Sequence, residues 1–393
     1  MKPGSEIGKI IEHFNKRTAK PGYIPQPLDE KHYQIKDAGR KLTVNLKIRF
    51  SQWSILLSRN LRVSLRDRSN LILLFGQVPV IALLLICAFW SYLNDERRYD
   101  DFARTIYYFD TLKAPYEKAG QAVPVDRLIK EAGEKARKET LLISEPTARQ
   151  RGSVTFLLVA SCIWFGIIGA CCEVVTEKHI LERESRSCIY LCPYLLAKMA
   201  MMVLVTGLQT ILLAFLVVPM LLQLPLIPML HLWLVLWVTA ISAAALGLLI
   251  SCLSRTLRFA LTAVPLLLIP QLVFGGFLRP PVQLLAGPVP VRMISDGISA
   301  MAIQRWAFEA ALVGDVCMQH CVLSQEIMAK SADTLSRYAE LNVIRFNRIS
   351  IVNLFFNPRA SGYTVIPWIW LAAWTILYLL GAYIVLRFRY TRG

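Results

Sequence analysis

The chain is 393 residues long and 55% hydrophobic, with a mean hydropathy of +0.46 and a net charge of +17. That apolar fraction exceeds what a soluble domain of ordinary composition carries and makes the bilayer the main solvent. The basic excess comes without any nucleic-acid recognition motif, so it points to topology and anionic headgroups and away from DNA or RNA as a partner.

Residues 1–45 are polar and irregular, with Pro21, Gly22, Pro25 and Pro27 close together. They read as a cytoplasmic tail or linker, too short for a nucleotide-binding fold. Over 46–70, Trp53, Leu56, Leu57, Leu61 and Leu65 recur at helical spacing while Arg59, Arg62 and Arg66 take another face, which predicts an amphipathic connecting helix. Such a helix either lies along the inner membrane surface with its arginines at the phosphates or packs on a partner.

Apolar stretches of spanning length follow at about 71–92, 153–172, 195–222, 229–253, 259–278 and 364–386. The first begins behind a long basic segment and is expected to stay as an anchor. Met199–Ser254 contains no Asp, Glu, Lys or Arg over 56 residues, too long for one crossing, and Pro225 and Pro228 mark a hairpin between two spans. Six transmembrane helices are therefore expected, making an all-α membrane protein, since backbone polar groups in lipid must be satisfied within the segment.

Residues 1–70 hold 15 Lys/Arg against 6 Asp/Glu, while the 94–151 loop has 12 against 11 and the segment 279–364 has 8 against 6. Positive charge stays in the cytoplasm, so both termini are expected inside, with external loops at 94–151 and 279–363 and a location in the inner or plasma membrane. Within the first loop, Asp126–Lys138 mixes both signs and predicts a solvated helix with local ion pairs. The second opens with Pro280, Pro281, Pro288 and Pro290 and then turns helix-like at Met301–Ala311, an apolar, broken segment that should dip into the membrane rim.

Catalytic motifs are missing from the sequence. There is no phosphate loop, since Gly8-Lys9 lacks the earlier Gly and the following hydroxyl, so this chain is not expected to be an enzyme or to grip ATP itself. His179 followed by Glu182 lacks the second His of a zinc helix, and no metal site is expected. His231, at the start of a span, is either an interfacial residue or a proton relay. Cys317 and Cys321 flank His320 on the expected external side, as free thiols or a disulfide; they do not complete a tetrahedral metal shell.

One dense charged cluster lies between spans: Glu173, Glu177, Lys178, Glu182, Arg183, Glu184 and Arg186, followed by Tyr190, Tyr194 and Lys198, in a cytoplasmic elbow over 173–193. Lys178 and Glu182 can pair at a four-residue spacing, and Glu177 and Glu184 share a helical face. The elbow suits contact with a soluble partner.

Here the chain resembles the permease domains of ABC-2-type exporters, especially the G-like subfamily and its bacterial relatives. Glu173, Glu177-Lys178, Arg183-Glu184, Tyr194 and Lys198 fit the family's pattern between its second and third spans, although Cys188 stands near a customary Gly. Pro270-Gln271 to Gly275-Gly276-Phe277-Leu278 is similar to the stretch closing the family's fifth span, and Ile298-Ser299 to Arg305-Trp306 and Phe308-Glu309-Ala310 to the segment before its last.

The resemblance implies a permease half-transporter whose elbow takes motion from an ABC ATPase acting in trans, with ATP and Mg on that partner. Two copies, or this chain and a second permease, would pair. By the same resemblance Phe165 and Ile269 would face a central cavity and Phe277 and Leu278 would form its external plug. The implied function is export of a lipid, lipid-linked glycan or other amphipathic substrate by alternating access; the alternative is a non-transporting membrane scaffold or sensor on the same fold.

Overall fold

The computed structural model describes residues 49–119, 124–138, 143–185, 190–278, 289–315, 318, 321–323, 347–349 and 365–390. Contacts divide the chain into Met1–Ser51 and Gln52–Gly393. The tail over 1–45 lies outside the described residues; apart from residues 49–51, which open the first helix, everything below concerns the larger unit.

A helix over 49–66, α1, is followed by a single non-helical residue, Asp67, and then by α2, Arg68–Lys118. At 51 residues α2 is about 76 Å long, so it runs well past the expected span and makes one wall of the first loop. The sequence permits this, because no Gly or Pro interrupts Ile81–Ala114, and the helix ends just before Gly120. Pro124 then precedes α3, Val125–Lys138, in a position that needs no N–H partner.

Helix α3 packs back on α2 through Phe109, Leu128 and Ala132, with Leu112, Tyr116 and Ile129 beside them. Its outer face keeps the expected ion pair, Lys135 to Glu131 at 3.3 Å. The first loop is thus a helical hairpin whose α3 is half solvated, because Leu128, Ala132 and Ala136 recur on one face.

The remaining long helices are α4 (Glu145–Ala170), α6 (Leu191–Val217), α7 (Leu226–Leu253) and α11 (Ile366–Tyr390), with the short α5 (Lys178–Ser185) after α4. Five helical stretches are long and apolar enough to cross a bilayer: Leu71–Trp90, Thr147–Ala170, Leu191–Leu222, Leu226–Leu253 and Ile366–Tyr390. The other expected span is shorter. Helix α8, Leu257–Val273, is about 26 Å long, contains Pro265 and Pro270, and gives way to a turn at Phe274–Gly276. Gly276 adopts φ 93°, a conformation that a side chain would strain.

The α6–α7 hairpin forms where the prolines place it. One π turn, Val218–Leu222, closes α6; Gln223 turns left-handed at φ 48°, and Pro228 sits in the first turn of α7, where its missing N–H costs nothing. Helices α4 and α7 make the closest pairing. At Gly166 a Cβ would strike the Ala240 carbonyl, and at Gly247 it would lie 2.8 Å from the Ile167 carbonyl and 2.9 Å from the Ala170 Cβ. Small residues let the two backbones touch, which replaces the hydrophobic drive that lipid does not supply.

Helices α9 (Val289–Met301) and α10 (Ile303–Gly314) follow, broken at Ala302. Every side chain from Ile303 to Leu312 is buried, so α10 enters the bundle more deeply than a rim segment would. Pro280, Pro281 and Pro288 lie outside the described residues. Strands β1 (Ile143–Ser144), β2 (Cys321–Leu323) and β3 (Asn347–Ile349) tie the loops, β1 parallel to β2 with Ile143 opposite Cys321, and β2 antiparallel to β3 with Cys321 opposite Ile349. The fold is otherwise helical throughout the described residues, an all-α membrane protein.

Candidate functional site

The elbow begins where α4 loosens into a run of turns over 171–177 and re-forms as α5. Lys198, two turns into α6, enters the end of the bundle and is almost fully buried. Its Nζ donates to Glu173 Oε2 and to Glu177 Oε1, both at 2.8 Å. Tyr194, four residues earlier and so on the same face, donates its hydroxyl to the other oxygen of Glu177 at 3.1 Å. Burial of one ammonium is offset by two carboxylates that keep 20% and 24% of their side-chain surface in water, the arrangement a charge in this position requires.

The same turn is fastened to α7. Ser251 Oγ accepts the backbone N–H groups of Val174 at 2.9 Å and Val175 at 3.0 Å. Arg389, at the end of α11, donates to the carbonyls of Cys252 at 2.9 Å and Ser254 at 3.2 Å, satisfying the open end of α7. Leu56 of α1 packs in one cluster with Val174, Leu181, Tyr194, Cys252 and Leu386. Five helices thus meet at the elbow.

The seven predicted elbow residues divide by environment. Glu173 and Glu177 turn inward as braces. Lys178 pairs with Glu182 at 3.7 Å on the outer side of α5, His179 stands 3.9 Å from the same carboxylate, and Arg183 is exposed beside them. The Glu184 side chain, Arg186 and Cys188 lie outside the described residues. Next to Glu173, Cys171 and Cys172 place their sulfurs 3.5 Å apart. Their shared hydrogen bond, aided by burial, pushes the Cys171 thiol up, while the same bond holds Cys172 below the usual thiol range.

At the opposite end, two motifs that stand apart in sequence meet. The Gln304 backbone N–H donates to Gln271 Oε1 at 3.1 Å, its Nε2 donates to the Phe156 carbonyl at 2.9 Å, and Ser299 Oγ donates to the Phe274 carbonyl at 3.3 Å. Gly275 lies against Gln304 and Phe156 with no room for a Cβ. Arg151 of α4 clamps the same end, bonding Asp315 Oδ2 through Nη2 at 2.9 Å and Nε at 3.2 Å, and the Leu222 carbonyl through Nη1 at 2.8 Å.

The residues expected at a cavity and plug are not brought together. Phe165 has no exposed surface and lies in the central core of its own chain, so it does not face outward; the exposed face of α4 carries Leu157 and Trp164 instead. Ile269 is exposed on α8. Phe277 stacks on Phe156 at 5.3 Å and meets Phe308 edge-on, whereas Leu278 is exposed. His231 is wedged between Gly314 and Trp368 in a packing role. Cys317 and His320 lie outside the described residues, as does the Cys321 side chain.

The sequence places Tyr194 and Lys198 after the charged cluster, but not among the elbow's own seven residues, and gives no sign that Lys198 folds back onto Glu173 and Glu177. Ser251 and Arg151 give no signal either. Among the described residues, no group of three or more His, Cys, Asp or Glu side chains is placed to hold a metal ion. The family model described as ABC-2 type transporter matches residues 51–313. No curated relative matches the chain.

Proposed function

The chain belongs to the ABC-2 type transporter family, as a multi-pass membrane permease component, and from this premise we propose that it serves an ATP-driven exporter whose ATPase is a separate subunit. The observation that carries the reading is the buried Lys198 brace. Because Lys198, Tyr194 and Ser251 fix the turn over 171–177 to α6 and α7 at once, a push on α5 moves the ends of three spans as one body. That is what conversion of ATPase closure into helix tilting needs.

The outer side of α5, with Lys178, Glu182 and Arg183, meets the ATPase, and Glu173 and Glu177 transmit its motion. Two permeases pair across the exposed faces of α4 and α8, six helices cross the membrane, and both termini lie on the ATPase side. ATP and Mg are held by the ATPase, and this chain contributes no catalysis of its own. The apolar faces that α4 and α8 leave exposed, with Leu157, Trp164, Leu266 and Ile269, favour a lipid, lipid-linked glycan or other amphipathic cargo.

Co-expression with the ATPase should give a complex whose hydrolysis exceeds that of the ATPase alone. Glu182→Gln should lower that stimulation without changing the melting temperature, because its carboxylate is half exposed, whereas Glu177→Gln should lower both. Full stimulation with both substitutions would remove the elbow from the mechanism.

A further inference from the structure

We propose that α1 carries a binding site for the phosphate of an anionic lipid headgroup. The apolar stripe evident in its sequence is not free for lipid: Leu56 is buried, and Trp53, Leu57 and Leu61 pack beside it against the elbow cluster. A second surface is left outside. Arg59, Arg62 and Arg66 fall at i, i+3 and i+7, within about 60° of one another around the helix at 3.6 residues per turn, and Ile55 shares their stripe. Arg62 and Arg66 are exposed, and so are Ile55, Val63 and Leu65.

Position selects the occupant. Only Asp67 separates α1 from α2, whose apolar stretch begins at Leu71, so α1 lies at the depth of the headgroups. Guanidinium groups one helical turn apart fit the oxygens of a phosphodiester by forked, charge-assisted hydrogen bonds. The exposed Ile55, Val63 and Leu65 fit acyl chains, which a free phosphate does not have. Arg255 and Arg258, exposed at the α7–α8 turn beside the exposed Leu253, Leu257 and Phe259, add basic charge at the same end of the bundle, but Arg255 stands in a bend before α8, so the pair does not repeat the helical ladder of arginines on α1.

Occupancy would bear on the elbow. The Gln52 side chain accepts the Tyr190 N–H at 3.4 Å, and Leu56 shares its cluster with Val174, Leu181 and Tyr194. A headgroup that grips α1 therefore steadies the elbow and tunes coupling to the ATPase. This regulatory consequence rests on the proposed function; the lipid site does not.

The test uses the delipidated full chain in detergent, without ATPase, and reads bound phosphatidylglycerol and phosphatidylcholine by native mass spectrometry. The wild type should retain phosphatidylglycerol in preference to phosphatidylcholine. Arg62→Gln/Arg66→Gln should cut that preference about 25-fold, at about fivefold for each arginine that meets the headgroup. Arg255→Gln/Arg258→Gln, with the same loss of charge, should leave it within twofold, and excess inorganic phosphate should not compete. No preference in the wild type, equal losses in the two double variants, or displacement by inorganic phosphate would each overturn the proposal. Unchanged melting of both variants, expected for exposed side chains, excludes misfolding as the cause. Because ATP hydrolysis is not measured, failure here leaves the transporter reading standing.

Discussion

Replacing Lys198 with Met would remove the only charge that neutralises Glu173 and Glu177 in the described contacts, while leaving a side chain of similar length in the bundle. Breaking a buried ion pair from one side costs about 3–5 kcal/mol, since the remaining charge is stranded. The two carboxylates keep about a fifth to a quarter of their surface in water, which favours the lower end, about 3 kcal/mol. At about 2–4 °C per kcal/mol this is a fall of roughly 6–12 °C in the melting temperature of the purified protein. Adding Glu173→Gln to Lys198→Met should recover part of the loss, because one stranded carboxylate is removed. A single variant melting within a degree of wild type, or a double variant no better than the single, would refute the brace.

Gly166→Leu should overpack the α4–α7 contact and destabilise by about 3 kcal/mol or more, read as loss of monodisperse protein in detergent, whereas Gly133→Leu, with open space around it, should be tolerated. Arg151→Met and Asp315→Leu should be coupled by about 2 kcal/mol in a double-mutant cycle of thermal stability; simple additivity would show that the clamp is idle. Since Cys172 is held below the usual thiol range and Cys171 above it, Cys172 carries the larger thiolate fraction at any given pH. Peptide mapping after limited alkylation near pH 8 should find Cys172 modified ahead of Cys171, and the reverse order would contradict the shared hydrogen bond.

Much of the membrane architecture was legible because its signals are local. Uncharged runs set five spans, and two prolines set the α6–α7 hairpin within a few residues. The expected span at 259–278 became a shorter helix because Pro265 and Pro270 weaken it and Gly275 and Gly276 release it, a detail that hydropathy averages away. The charged segment after the first span looked like a loop on the strength of its polarity, yet it lacks helix breakers up to Pro115, and absence of breakers was the better guide. Phe165 illustrates the other limit. Inward and outward faces of an apolar helix are set by neighbours such as Ala240 and Ala243 that approach through Gly166, and one chain's periodicity does not distinguish them.

Glu182 and Asp126, both solvent-accessible, stand at opposite ends of the bundle, and the transporter account requires the membrane to lie between them. Each can be changed to Cys in a chain whose native reactive thiols have been replaced, and labelled in intact cells with a membrane-impermeant maleimide. The account predicts that Asp126→Cys is labelled at once and Glu182→Cys only after the membrane is opened; labelling of both from the same side would contradict it.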